Sequence, residues 1–141
     1  PLINEDVINN IFFISKNMDL STLNELYNIT DCYVSPYRAE GFNLTPLEAA
    51  ASGTPIIVTK GGSTDDYFNP KFGLQIDSKV INDGNLTSLR PNIDSIVECI
   101  LLIMKNPKDY GGLEVSKFIK KNFTWYCSVK KLYNILTNKY V

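Results

Sequence analysis

The chain predicts an α/β fold with a mainly parallel sheet flanked by helices, and three observations carry that expectation. Short β-branched apolar runs alternate with segments of helical periodicity: CYVSP at 32–36, PIIVT at 55–59 and FGLQI at 72–76 read as strands, with loops and candidate helices between them. The run at 55–59 is apolar almost throughout, as in a strand covered on both faces; a half-exposed strand would alternate. Further on, Ile93, Ile96, Val97, Ile100, Leu101 and Met104 fall on one side of a helix, the stripe that packs on a sheet.

The elements follow in order. IFFI at 11–14, ahead of polar Ser15-Lys16-Asn17, reads as a short buried strand. Asp19-Leu20-Ser21 opens a helix with Ser21 as N-cap, and Leu23, Leu26, Tyr27 and Thr30 continue at helical spacing. Pro36 stops the CYVSP strand. A loop at 37–43 contains Gly41, and a short helix over 46–52 is ended by Gly53, where a left-handed residue is wanted. Gly61-Gly62 make a turn, and Ser63 to Tyr67 start another helix. The polar stretch 78–92, with Gly84 and Pro91, reads as a surface loop. The helix from Ile93 is stopped by Asn106-Pro107, and helices over 111–121 and 126–139 complete the chain. In parallel sheets ligands sit beyond the carboxyl ends of the strands, which puts the 36–45 and 60–66 loops on the functional edge.

Composition excludes several classes. The 141 residues, 44% apolar and 21% charged, suit one soluble globular domain with a core of its own. A net charge of −1 gives no pull toward nucleic acid, and none is expected as a partner. CILLIM at 99–104 is far too short to span a bilayer, no signal peptide is visible, and the expected location is cytoplasmic, although the chain begins at Pro1 rather than Met. The absence of histidine removes Ser-His and Cys-His nucleophile pairs and the commonest metal ligand. Cys32, Cys99 and Cys127 stand far apart and read as reduced thiols. The Asn-x-Thr triplets at Asn28, Asn43, Asn85 and Asn122 fit chance in an asparagine-rich chain.

The informative stretch is SPYRAEGFNLTPLEAAASGTPIIVTKGG at 35–62. Thr45-Pro46-Leu47-Glu48 fits a capping box, with Thr45 as N-cap and Pro46 at the first helical position. A helix start after a glycine-containing loop offers free backbone N–H groups and a positive dipole end, an anion site suited to phosphate. Ala49, Ala50 and Ala51 let that helix lie close to the sheet. Glu40 precedes it, and a carboxylate that accepts hydrogen bonds from hydroxyls suits a sugar ring. Taken singly, Glu48 reads as a cap, Glu40 as a solvated loop charge and Gly41 as a plain turn.

Together these residues resemble the donor-binding motif of retaining glycosyltransferases of the GT-B fold, group 1. Two glutamates are separated by seven residues, Gly-Phe follows the first, and a small-residue helix and then Gly-Thr-Pro follow the second: Glu40-Gly41-Phe42 through Glu48, then Ala49 to Pro55. Upstream LYNITDCYVSP, downstream Gly61-Gly62 and the terminal FTWYCSVKKLYNIL extend the resemblance over most of the chain. It implies a Rossmann-like, nucleotide-sugar-binding domain over residues 1–141, with C-terminal helices over about 93–139. Glu40 is then the catalytic-site residue on the donor sugar's hydroxyls. Gly41, Phe42, Asn43, Leu44 and Thr45 offer backbone N–H groups to sugar and diphosphate, and Glu48 holds the ribose hydroxyls, in competition with its capping role. The donor is a substrate, with no other cofactor. No metal is expected, since Asp65-Asp66 is not the Asp-x-Asp of metal-dependent transferases.

Two departures stand out. Asn43 occupies a position where the family has glycine, which bears on sugar specificity. Asp65 and Asp66 stand where it has a glutamate, and they read better as the start of a helix. Tyr37 and Arg38 flank the motif, with base or phosphate contact and a surface role equally open. The resemblance implies only the C-terminal of two domains, incomplete at its N-terminal side: no strand precedes IFFI, and no Arg and Lys pair faces the leaving diphosphate. The acceptor is then bound mainly by a missing N-terminal domain, and the chain alone is expected to lack useful transfer activity. In a 3-2-1-4-5-6 sheet IFFI would lie apart from CYVSP, so it pairs abnormally or leaves an exposed edge that promotes self-association. The competing readings are a nucleotide-sugar epimerase or glycosyl phosphorylase on the same fold, and a non-catalytic scaffold or regulatory module.

Overall fold

The computed structural model describes residues 9–84 and 86–137. The elements are α1 (Leu20–Ile29), β1 (Tyr33–Ser35), α2 (Leu44–Ala51), β2 (Ile56–Thr59), a 3₁₀ turn (Ser63–Asp66), β3 (Gly73–Ile76), β4 (Ser78–Asp83), β5 (Leu86–Pro91), α3 (Ile93–Lys105), α4 (Gly112–Asn122) and α5 (Trp125–Thr137). The first three strands form a parallel sheet in the order β1-β2-β3, with Ile57 opposite Val34 on one side and Leu74 on the other. The expected Rossmann-like arrangement of a parallel sheet between helices is what the chain adopts.

Every residue of β2 is buried, because alternate side chains serve opposite faces. Ile56 and Val58 join Tyr27, Leu47, Ala49, Ala50, Phe72, Val115 and Ile119 in a cluster built with α1, α2 and α4. Ile57 joins Ile76, Cys99 and Ile103 beneath α3. Ala49 and Ala50 are fully covered, so their small side chains set how closely α2 lies on the sheet. Gly53 ends α2 with φ 92°, and its carbonyl accepts the Gly112 N–H at 2.7 Å, which docks the start of α4. Ser116 strengthens the same contact by donating to the Ala51 carbonyl at 2.6 Å.

Four expectations change. Residues 11–14 form no strand: the backbone is irregular, and Phe12 and Phe13 are 85% and 92% exposed. A run of four apolar residues reads as buried only if a neighbouring strand and a covering helix exist, and among the described residues none pairs with it. Among the described residues the edge strands of the parallel sheet are β1 and β3. The stretch read as a surface loop is an antiparallel hairpin, β4–β5, with Ile81 opposite Ser88. The N-cap of α1 is Asp19, not Ser21, because the Asp19 carboxylate reaches the Thr22 N–H at 2.7 Å. That bond holds its carboxyl below the usual range. Finally, α2 begins at Leu44 with Asn43 as N-cap, so Thr45 lies inside the helix.

These differences define a first test. Ile57→Ala, in the filled core, is expected to lower unfolding stability by about 2–5 kcal/mol in urea titration. The double change Phe12→Ser and Phe13→Ser is expected to stay within about 0.5 kcal/mol, as for residues that bury nothing; a loss like that of Ile57→Ala would mean that 11–14 is packed.

Candidate functional site

The carboxyl ends of β1 and β2 converge on one hydrogen-bonded knot. After β1, Tyr37 turns back, and its hydroxyl donates to the Thr59 carbonyl at 3.1 Å and accepts the Thr64 N–H at 3.2 Å. The Thr59 hydroxyl returns a bond to the Tyr37 carbonyl at 2.9 Å. Tyr37 is thus a half-buried strut between the two loops. Gly62 must be glycine for this packing, since a Cβ there would meet the Tyr37 hydroxyl at 2.6 Å. Asp65 holds the second loop in shape: its carboxylate accepts the Gly61 N–H at 2.9 Å and the Gln75 amide at 2.6 Å. Asp65 and Asp66 lie in the first turn of the 3₁₀ segment, in keeping with a helix start.

Asn43 is the junction between loop and helix. It takes the left-handed conformation, φ 60° and ψ 75°, which asparagine tolerates better than most residues. It is only 9% exposed. Its amide donates to the Ser35 hydroxyl at 3.0 Å, its side-chain oxygen accepts from Thr45 at 3.2 Å, and its carbonyl accepts from the Tyr67 hydroxyl at 2.8 Å. Thr45 in turn receives the Tyr33 hydroxyl at 2.9 Å. The Asn43 side chain makes no capping bond to the helix. The first amides of α2 at Leu44 and Thr45 therefore keep the unfilled character of a helix start. Pro46 has no N–H to offer.

The two glutamates line different clefts, Glu40 in the loop before this helix and Glu48 along its later part, beside α1. Glu40 is exposed and lines a cleft of about 230 Å³ with Arg38, Gly62 and Ser63, closed on its far side by Thr87, Ser88 and Leu89 of β5. Ser63 Oγ is buried there without a hydrogen-bond partner among the described residues. Glu48 lines a second groove, also about 230 Å³, with Tyr27, Asn24, Ser52 and Lys120. The Tyr27 hydroxyl donates to Glu48 Oε2 at 3.5 Å, a long bond. Burial and then the Glu48 charge push the Tyr27 hydroxyl up to about 12. Phe42 turns the other way: its ring lies 5.2 Å from that of Tyr67 and lines a notch with Leu47, Phe123 and Trp125. Its side chain belongs to that aromatic cluster, leaving its backbone to the loop. Gly41 is exposed, with open space around it.

A cavity of about 420 Å³ between Lys71, Phe72, Phe118 and Lys121 contains none of these residues. Tyr27, Ser63 and the hairpin residues were not picked out from the sequence. Only the hairpin left a usable signal, the two-residue Gly84-Asn85 gap between β-forming segments. The three cysteines are free, and burial pushes the Cys32 thiol up to about 11 and raises that of Cys99. Among the described residues no helix is long and apolar enough to cross a membrane.

Comparison with known proteins points one way. The family described as Glycosyl transferases group 1 matches residues 3–125. A protein of Sulfolobus islandicus rod-shaped virus 1, named "Uncharacterized protein 356", is 29% identical over 138 residues, covering 89% of this chain and 38% of its own. The lipopolysaccharide core biosynthesis mannosyltransferase LpsB of Rhizobium meliloti is 40% identical over 53 residues, 38% of this chain and 14% of its own. Protein CapJ of Staphylococcus aureus is 30% identical over 67 residues, 48% of this chain and 17% of its own. The matched part is thus well under half the length of each of these relatives.

Two outcomes follow from the geometry. Asn43→Ala is expected to destabilise the fold by about 1–3 kcal/mol, through the left-handed backbone and the lost side-chain bonds. Asn43→Gly should recover the backbone part in thermal unfolding. Tyr27 has its folded pKa above the ordinary value near 10, so its stabilising share is full below pH 10 and is lost as pH rises through about 12. The stability difference between the wild-type chain and Tyr27→Phe should shift against the wild type across that window; a difference that is flat with pH would contradict it.

Proposed function

The chain belongs to the group 1 glycosyl transferases, and on that premise we propose that its α2 start is the donor site for a nucleotide sugar. The carrying observation is the position of that helix start. It opens at the carboxyl edge of a parallel sheet, no side chain caps it, and a carboxylate stands in the loop before it, Glu40, and another in its second turn, Glu48. A single ring would not use both clefts, whereas a sugar–diphosphate–nucleoside would: sugar at Glu40, diphosphate on the amides around Leu44 and Thr45, ribose at Glu48.

The roles follow from chemistry. Glu40 accepts hydrogen bonds from sugar hydroxyls and stands nearest the reacting carbon. The backbone of Gly41 to Thr45 and the positive end of α2 bind the diphosphate and stabilise the charge that grows on it as the glycosidic bond breaks. Interactions that strengthen as that charge develops are the ones that raise the rate. Glu48 takes the two ribose hydroxyls, with Tyr27 steadying its carboxylate. The anomeric carbon passes through an oxocarbenium-like state and the acceptor enters with retention. We assign the chain to the C-terminal, donor side of a GT-B arrangement, with the acceptor on an N-terminal domain. It is then expected to transfer sugar poorly by itself. No metal or further cofactor takes part in this reading. The likeness to a mannosyltransferase favours a hexosyl donor.

Calorimetry with GDP-mannose, UDP-glucose and the bare nucleoside diphosphates tests this. Glu48→Ala is expected to weaken nucleotide and nucleotide sugar alike, by about ten- to hundredfold. Glu40→Gln should weaken only the sugar nucleotides. Unchanged affinity in Glu48→Ala would remove the ribose role, and a wild-type chain that binds none of these compounds would favour a scaffold.

A further inference from the structure

A recess of about 420 Å³ lies at the edge of the sheet opposite the donor loops. It forms between α4 and the turn at 69–72, which leads into the amino end of β3. Glu114, Lys117, Phe118 and Lys121 recur at i, i+3, i+4 and i+7, so α4 presents them on one face. The turn that meets this face is fixed. The Phe72 N–H closes it on the Asn69 carbonyl at 2.8 Å, and the Asn69 side-chain oxygen accepts the Lys71 N–H at 3.0 Å. The Gly111 N–H donates to the Lys71 carbonyl at 2.9 Å and fastens the turn to the start of α4. Both walls of the recess are therefore held in place by the backbone.

We propose that this recess is a binding site for a small organic anion, a phosphate or carboxylate carried on an aromatic ring or short alkyl chain. The inference goes beyond the donor reading and does not depend on it. The volume lies within the ~300–1,000 Å³ usual for small-molecule sites. The floor is apolar: Phe72 is buried, and the Phe118 ring, 46% exposed, lies 5.9 Å from it. The rim supplies donors. Among the described residues Lys71 and Lys121 make no ion pair, and the Asn69 side-chain N–H groups have no partner. The one carboxylate that lines the recess, Glu114, is already answered by Lys117 at 3.0 Å. Three lysines against one glutamate make the rim positive, although the chain as a whole carries −1. Cations and amide donors above an aromatic floor complement an anionic head on an apolar body. A neutral ligand would leave the lysines unanswered, and a bare ion would leave the rings unused.

The test titrates the isotope-labelled 141-residue chain with phenyl phosphate and phenylacetate, with benzyl alcohol and benzylamine, and with inorganic phosphate, reading amide shifts by NMR. The two aryl anions are expected to shift the amides of 69–72 and 114–121 with a Kd of about 1 mM, at least about fivefold tighter than the other three probes. Lys71→Glu and Lys121→Glu should each weaken the aryl anions by about fivefold and leave benzyl alcohol within about twofold. Phe118→Ala should weaken every aryl probe. Glu114→Gln, which releases Lys117, should tighten the aryl anions by about two- to threefold. All four positions are exposed, so thermal unfolding of these variants is expected to match the wild type. Equal affinity for phenyl phosphate and benzyl alcohol would overturn the proposal, as would anion binding unchanged by both charge reversals. Inorganic phosphate bound as tightly as phenyl phosphate would mean an adventitious ion only. Shifts confined to 41–45 would place the probes at the start of α2 and overturn it too, while leaving the donor reading intact.

Discussion

The carboxyl end of β2 is the point on which the site depends. Ile56 to Thr59 are all buried; Ile56 to Val58 are paired on both edges, and Thr59 is paired to Ile76 on one. The Thr59 carbonyl and hydroxyl both bind Tyr37. Because Tyr37 begins the loop that carries Glu40, a purely apolar core is converted into a fixed position for a charged side chain. The hydroxyl of Thr64 uses the same Thr59 carbonyl, at 3.1 Å, and ties in the second loop. A loop that bears function is ordinarily mobile; these two are held by buried polar bonds, which are strong because water does not compete for them.

Asn43 performs the corresponding task for α2. A conventional cap would fill the first amides of the helix with a side-chain oxygen. Here that oxygen is turned to Thr45, and the backbone is held open by the left-handed turn and by Tyr67 beneath it. Burial pushes the Tyr67 hydroxyl well above its ordinary range, so it stays a neutral donor at any physiological pH. Asparagine supplies the left-handed backbone conformation and adds bonds to both β1 and α2.

What was legible in the sequence follows burial. PIIVT and the alanine helix with its terminal Gly53 are legible because each answers to one pattern that the core enforces; the stripe from Ile93 marks a helix but not its packed face, since α3 buries Cys99 and Ile103 while Ile93, Val97, Leu101 and Met104 stay exposed. IFFI failed because apolar character records a preference for burial and not a partner; Phe12 and Phe13 remain in solvent. The hairpin hides in the sequence because its strands are largely polar and exposed. Gly84, at φ 58°, sits in a two-residue connection of the kind that joins antiparallel strands. For the site, the motif marked the right loop and helix, but nothing in it could show that Glu40 and Glu48 face different clefts. That depends on the packing of α1 and β5, which come from distant parts of the chain.

The same geometry separates the two readings of Glu48. A capping box needs the carboxylate three residues after the N-cap, so that it can reach back to the N-cap amide. With Thr45 as N-cap that spacing holds. With Asn43 in that place Glu48 is five residues on, in the second turn, and directed toward α1. It then gives the end of its own helix nothing. Among the described residues its one side-chain partner is Tyr27, through a long bond, and its charge makes ionisation of that phenol harder. A carboxylate so placed, beside a groove and with oxygens left to accept bonds, contributes little to the fold by local interactions.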